Sequence, residues 1–233
     1  METILDEGSK VTHSAIAKKV EDVLTDPTAI AKVSVDSVDA CYSPIIQSGG
    51  KYDIKVSAFS DDEVLSPDVI ICSLGSRFRG YCANMTRTFM VDAPPKIENT
   101  YSTLLALYQS CLEKMTVGGD IKEVMSHAKS FLTARDASLS THLAKNMGFG
   151  LGLEFRDSGM VLNEKNVHQF QENMVFTLSV GFHGVPLTAE DKKDAASSIQ
   201  KLQTFSMLLA DTVLIRKDGA PEVLTKFTKE YGE

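Results

Sequence analysis

Asp68-Val-Ile-Ile-Cys-Ser-Leu-Gly-Ser-Arg-Phe-Arg-Gly-Tyr-Cys-Ala-Asn-Met-Thr-Arg-Thr-Phe-Met-Val91 decides how this chain reads. Apolar residues from Val69 to Cys72 form a strand that reaches Ser73. Gly75 to Gly80 carry a turn, and a second strand returns through Thr86-Arg87-Thr88-Phe89. Strands of this composition, separated by glycines, read as a hairpin. Two polar positions stand out in it, Ser73 at the end of the first strand and Asn84 eleven residues later.

This frame resembles the pita-bread metallopeptidases: methionine aminopeptidase, aminopeptidase P, prolidase and creatinase. The resemblance implies two metal-binding aspartates where this chain has Ser73 and Asn84. It also implies a metal-binding histidine in a glycine-rich segment, which here reads Gly148-Phe149-Gly150-Leu151-Gly152. A second histidine that assists catalysis is expected where Arg156 stands. Two metal-binding glutamates correspond to Ser179, after Asn173-Met-Val-Phe-Thr-Leu178, and to Ala210, before Asp211-Thr-Val-Leu-Ile215.

A pair of divalent cations about 3.5–4 Å apart needs several anionic oxygens and usually an imidazole. Ser73, Asn84, Phe149, Ser179 and Ala210 supply no formal charge among them. Asp211 does not rescue the site, because successive side chains on a strand point to opposite faces. His183 shares the parity of Ser179, but one imidazole without carboxylates makes a poor metal site, and a solvated strand-end histidine is the expected role. No cofactor or metal is therefore expected, and neither is peptidase activity.

Within that fold the chain resembles most the amino-terminal peptidase-like domain of the large subunit of FACT histone chaperones. The segments that carry this likeness include Leu5–Ser14, Ser43–Tyr52, Ile71–Phe78, Tyr81–Asn84, Asn146–Ser158 and Ala210–Leu214. The resemblance implies a nuclear, chromatin-associated module that binds core histones and acts in nucleosome reorganisation. Contact with the small FACT subunit would run through parts of the parent chain outside these residues. Residues 1–233 are expected to form a single inactive peptidase-like domain of a larger multidomain chain. A scaffold for replication or transcription proteins is a second reading; an active metallopeptidase with unrecognised ligands is a remote third.

Composition agrees. With 43% hydrophobic and 24% charged residues, the 233-residue chain is ordinary for a globular protein. No apolar run approaches the roughly 20 residues that span a bilayer, so no membrane partner is expected. The net charge of −7 argues against DNA as a direct partner and suits a basic one. Cys41, Cys72, Cys82 and Cys111 form no Cys-x-x-Cys pair and read as reduced thiols.

Periodicity predicts an α+β fold, a curved mixed sheet covered by helices, with pseudo-twofold halves implied by the resemblance. Helices are expected over 12–24, from Pro94-Pro95 to Gly118-Gly119, from an Asp120/Glu123 capping box to Leu132, and over 138–147. A strand–turn–strand is expected over 43–57, and strands over 151–156, 174–182 and 206–216. The polar segment 186–203 reads as a mobile hairpin tip. His13 and His168 are expected in polar surroundings, and His127 and His142 at a helix surface or boundary.

The old cleft is the expected place of function, since a concave surface outlasts its metals. Arg156 is expected near its centre, with Asn84, Tyr81, Ser179 and Glu154 as neighbours. It would either organise the former ligand positions or pair with Glu154 or Asp157. The basic, aromatic turn Arg77-Phe78-Arg79 is a second candidate surface, with a solvated turn as the preferred reading.

Overall fold

The computed structural model describes residues 2–24, 26–29, 34–217 and 219–229. Two long antiparallel pairs dominate. Strand β3 (Val69–Phe78) pairs with β4 (Tyr81–Met90), and β7 (Val175–Pro186) pairs with β8 (Thr204–Leu214). They meet where β4 adjoins β8, with Thr86 opposite Ala210. Short strands extend the sheet: β1 (Val38–Ala40) and β2 (Ile45–Gln47) on β3, and β9 (Glu222–Val223) on β8. On β7 lies β5 (Gly148–Gly150), followed by β6 (Asp157–Val161).

Helices α3 (Pro95–Leu112) and α4 (Lys122–Arg135) cover one face. Ile97, Leu104, Tyr108 and Cys111 of α3, with Val124, Ala128 and Leu132 of α4, are fully buried against Leu178, Val180, Leu209 and Val213. Helix α2 (His13–Val23) buries Ile16 and Ala17 against Ile46, Ile70 and Cys72. Its amino terminus is capped by Thr12, whose side chain accepts from the Ala15 amide. A short helix, α1 (Glu2–Asp6), precedes it.

Several expectations are corrected. The β3–β4 turn is confined to Arg79-Gly80, both with positive φ, so β3 runs five residues past Ser73. The second half of 43–57 is irregular, because Gly49 and Gly50 (φ +74° and +85°) turn the chain out of the sheet. Asp120 caps no helix; its carboxylate accepts from Gln169, and α4 has no side-chain cap. The helix expected over 138–147 is a 3-10 segment, Ala137–His142, because Leu143 leaves to pair with Phe182. Residues 151–156 form no strand; they are the connection between β5 and β6. Segment 186–203 is no free tip: it contains α5 (Ser197–Lys201) and anchors itself through buried Leu187, Ile199 and Leu202.

His13 is buried between two polar partners. Its Nδ1 lies 2.5 Å from Asp61 Oδ1 and its Nε2 2.7 Å from Ser48 Oγ, which ties α2 to the turn after β2. The four cysteines are free thiols. No helix among the described residues is long and apolar enough to cross a membrane.

Candidate functional site

Register places Ser73, Asn84, Phe149, Ser179 and Ala210, where the resemblance implies metal ligands, together on the sheet face opposite α3 and α4. Ser73 lies across from Thr86, Thr86 from Ala210, and Ala210 from Ser179, a row running over β3, β4, β8 and β7. Two residues along each strand, on the same face, comes a second row. Gly75 pairs with Asn84, Thr212 with Thr177, and Thr177 with Phe149. Thr212 Oγ1 joins this row by accepting from the Asn84 amide at 2.8 Å.

Neutral bonds occupy these positions. Thr86 Oγ1 donates to Ser73 Oγ at 2.9 Å. Asn84 Nδ2 donates to Thr177 Oγ1 at 3.0 Å, and Asn84 Oδ1 accepts from the Tyr42 hydroxyl at 2.5 Å. The Tyr42 ring lies over Gly75, where any Cβ would overlap it. Tyr42 also packs on Phe155 (centroids 5.0 Å apart), which meets Phe149 edge-on at 5.5 Å. Cys82, Leu151 and Val161 complete an apolar cluster around Phe149. Burial, with the neighbouring Cys41, pushes the Tyr42 hydroxyl well above the usual phenol range, so it stays protonated and remains a donor.

This donor set does not fit a pair of divalent cations. Asn84 and Ser73 are engaged by neutral partners, the side chains of Phe149 and Ala210 offer no ligand atom, and the stack of Tyr42, Phe155 and Phe149 packs on the second row. Among the described residues no group of three His, Cys, Asp or Glu side chains has a metal-binding arrangement.

Asp211 lies on the opposite face, fully buried, where it accepts from Arg87 Nη2 (2.7 Å), the Tyr108 hydroxyl (2.8 Å) and Thr225 Oγ1 (2.6 Å). The Thr-Arg-Thr-Phe motif is thus divided between faces. Its threonines bond on the site side, and its arginine bonds under the helices.

Beside the aromatic stack opens a cleft of about 760 Å³. Phe149, Ser179 and Val161 line its sheet side; residues 52–57 and 141–146 line its walls. Arg156 lies at its edge, exposed, with its guanidinium 5.6 Å from the Phe149 ring centroid. Neither expectation for its partners is met: among the described residues it forms no ion pair with Glu154 or Asp157 and no hydrogen bond to Ser73, Asn84, Ser179 or Ala210. Asp157 instead accepts from the Gly159 amide at 2.8 Å, and Glu154 is exposed.

Tyr81, Arg77 and Arg79 do not line this cleft; they lie at the turn end of the β3–β4 hairpin. Arg77 Nε approaches Cys82 Sγ at 3.5 Å, Arg79 lies over Phe78, and Tyr81 is 65% exposed. His183 is exposed near the cleft, with Nδ1 3.2 Å from Ser206 Oγ. Sequence reasoning missed Tyr42, Phe155 and the row-forming threonines. The available signal was Gly75, since a glycine inside a strand marks close approach by another group.

The family model for metallopeptidase family M24 matches residues 1–217. The chain belongs to metallopeptidase family M24. Within it, this M24 chain is 39% identical over 233 residues to FACT complex subunit SPT16 of Arabidopsis thaliana, covering 98% of this chain and 21% of the relative. It is 37% identical over 229 residues to the Zea mays subunit, covering 97% and 21%. The chain therefore spans about a fifth of the length of these relatives. The solved N-terminal domain of FACT complex subunit SPT16 from Cicer arietinum superposes with a TM-score of 0.89 at 37% identity, over 98% of this chain and 52% of that one. X-Pro aminopeptidase from Thermotoga maritima matches with a TM-score of 0.74 at 20% identity, over 99% and 57%, a likeness of fold alone.

Proposed function

We propose that this M24 chain is a non-catalytic histone-binding module of a FACT-type histone chaperone, acting in nucleosome reorganisation during transcription and replication. The observation that carries this reading is similarity to SPT16 subunits along nearly the whole chain, supported by the neutral hydrogen bonds that engage Asn84 and Ser73. On this reading residues 1–233 are one inactive peptidase-like domain of a longer protein, and its site is nuclear chromatin. Core histones are the partners, and the small FACT subunit is met through other parts of the parent chain. The net charge of −7 suits a basic partner and disfavours direct DNA binding.

A titration with refolded core histone complexes at low salt and at about 0.15 M tests this. Saturable binding that persists at the higher salt is expected. Binding confined to low salt is generic attraction between an acidic domain and basic proteins, and would overturn the reading in favour of a scaffold for other replication or transcription proteins.

A further inference from the structure

The cleft beside Phe149 has a charge opposite to that of the protein around it. Its lining carries Lys55, Lys145 and Arg156 against a single carboxylate, Asp53. Asp53 is engaged by Lys55 at 3.7 Å. Among the described residues, Lys145 and Arg156 have no ion-pair partner. His142 and His183 add two imidazoles on the same lining. Such a concentration of cations in a chain of net charge −7 is a local feature rather than a consequence of composition.

The cleft also has an apolar floor. Phe149 is buried beneath Arg156, Val161 pairs with it across the strands, and Leu143 closes one wall. The guanidinium stacks on the Phe149 ring at the cleft's edge, and among the described residues its N–H groups have no acceptor, which pre-positions them for a planar anion. At about 760 Å³ the cleft is the size of an ordinary ligand site.

We infer that this cleft binds a short acidic peptide segment of a partner protein, with carboxylates on Arg156 and Lys145 and an apolar side chain against Val56 and Leu143 of the lining. A lysine-rich histone tail is disfavoured here by like charge, so histones and this ligand occupy different surfaces. A nucleic acid is disfavoured because its closely spaced phosphates would face an acidic protein with only three lysine or arginine side chains in the cleft. A segment with one or two carboxylates and an apolar anchor uses every feature of the cleft. The inference does not depend on histone binding.

The test is fluorescence anisotropy with a short labelled peptide alternating Glu and Leu, at about 0.15 M salt. Saturable binding is expected, with Arg156→Gln weakening it about tenfold, the scale of a lost charged hydrogen bond. Lys145→Gln weakens it severalfold and provides a second variant should Arg156→Gln misfold. Lys18→Gln, on α2, changes nothing. Equal affinity for the Gln–Leu analogue or for a Lys–Leu peptide would overturn the inference, as would indifference to both cleft variants. Tighter binding of an oligothymidine with the same Arg156 dependence would also overturn it and assign the cleft to nucleic acid. Histone titration of the same variants separates the two proposals: histone binding that survives Arg156→Gln while peptide binding falls supports both. Histone binding that fails in the unmodified protein removes only the first.

Discussion

Arg87 and Asp211 meet at 2.7 Å beneath the helices, and each is bound by more than the other. Arg87 also donates to the carbonyls of Thr86, Ala210, Phe227 and Thr228. Asp211 also accepts from Tyr108 and Thr225 and lies 3.0 Å from Lys229 Nζ. The pair joins β4, β8, α3 and the carboxy-terminal segment. Removing one member of a buried ion pair strands the other, at a cost of about 3–5 kcal/mol. Asp211→Ala is expected to lose that much in urea unfolding, as a lower midpoint at unchanged slope. A loss below about 1 kcal/mol, the scale of a surface pair, would sink this account.

Side-chain hydroxyls hold much of the boundary between β4 and β8. Thr88 Oγ1 accepts from the Leu208 amide and donates to the Leu208 carbonyl, both at 2.9 Å. Thr212 Oγ1 treats Asn84 in the same way, at 2.8 and 3.0 Å. Thr88→Val and Thr212→Val each leave a buried amide and carbonyl unpaired, so each is expected to cost about 1–3 kcal/mol. Calorimetry of the two variants decides it; melting unchanged in both would mean that other groups close this boundary.

Asn84 cannot be returned to a carboxylate without penalty. Asn84→Asp keeps the acceptor for Tyr42 but loses the Nδ2 donor to Thr177, and it places a charge among Tyr42, Phe149 and Phe155. The expected cost is about 1–3 kcal/mol, without gain of tight manganese or zinc binding by calorimetric titration. Stoichiometric, tight metal uptake by this single variant would contradict the closed site described above.

Asp68 gives the domain a pH dependence. Burial pushes its carboxyl above the ordinary value, against the opposing effects of its hydrogen bonds, which include those from the Gly49 amide (3.1 Å) and the Tyr52 hydroxyl (3.4 Å). With the folded pKa raised, its contribution is fully present below the unfolded value of about 3.9 and is lost as pH rises through the folded one. Asp68→Asn keeps the acceptor and removes the charge. Its stability relative to the unmodified chain is expected to be greater at about pH 8 than at about pH 4. A pH-independent difference in urea midpoints would show that this carboxyl does not titrate differently on folding.

The two long pairs were legible because apolar runs, turn glycines and Thr-Arg-Thr-Phe are local signals. The five positions Ser73, Asn84, Phe149, Ser179 and Ala210 were single places in a recognisable frame, and their coming together on one face follows from strand register. What fills their place was not legible. Tyr42 reaches Asn84 across 42 residues, and nothing near Tyr42 in sequence indicates it. The region after Gly148 was misplaced for a steric reason. Gly148 sits at φ +119°, against the Thr177 carbonyl, and Gly150 leaves room for Met160, so the chain pairs there as β5 rather than as a strand over 151–156. Segment 186–203 misled because its many polar residues conceal three buried apolar anchors, Leu187, Ile199 and Leu202.

The division of labour at the β4–β8 boundary has a geometric consequence. Where two strands are joined by a full backbone ladder, pleat and twist set the angle between them. Here Thr88, Thr212 and Arg87 carry much of the junction, each with its own rotamer and reach. The angle at which the two hairpins meet is therefore set largely by a few side chains. Point substitution there can open or narrow the hollow while leaving both hairpins intact.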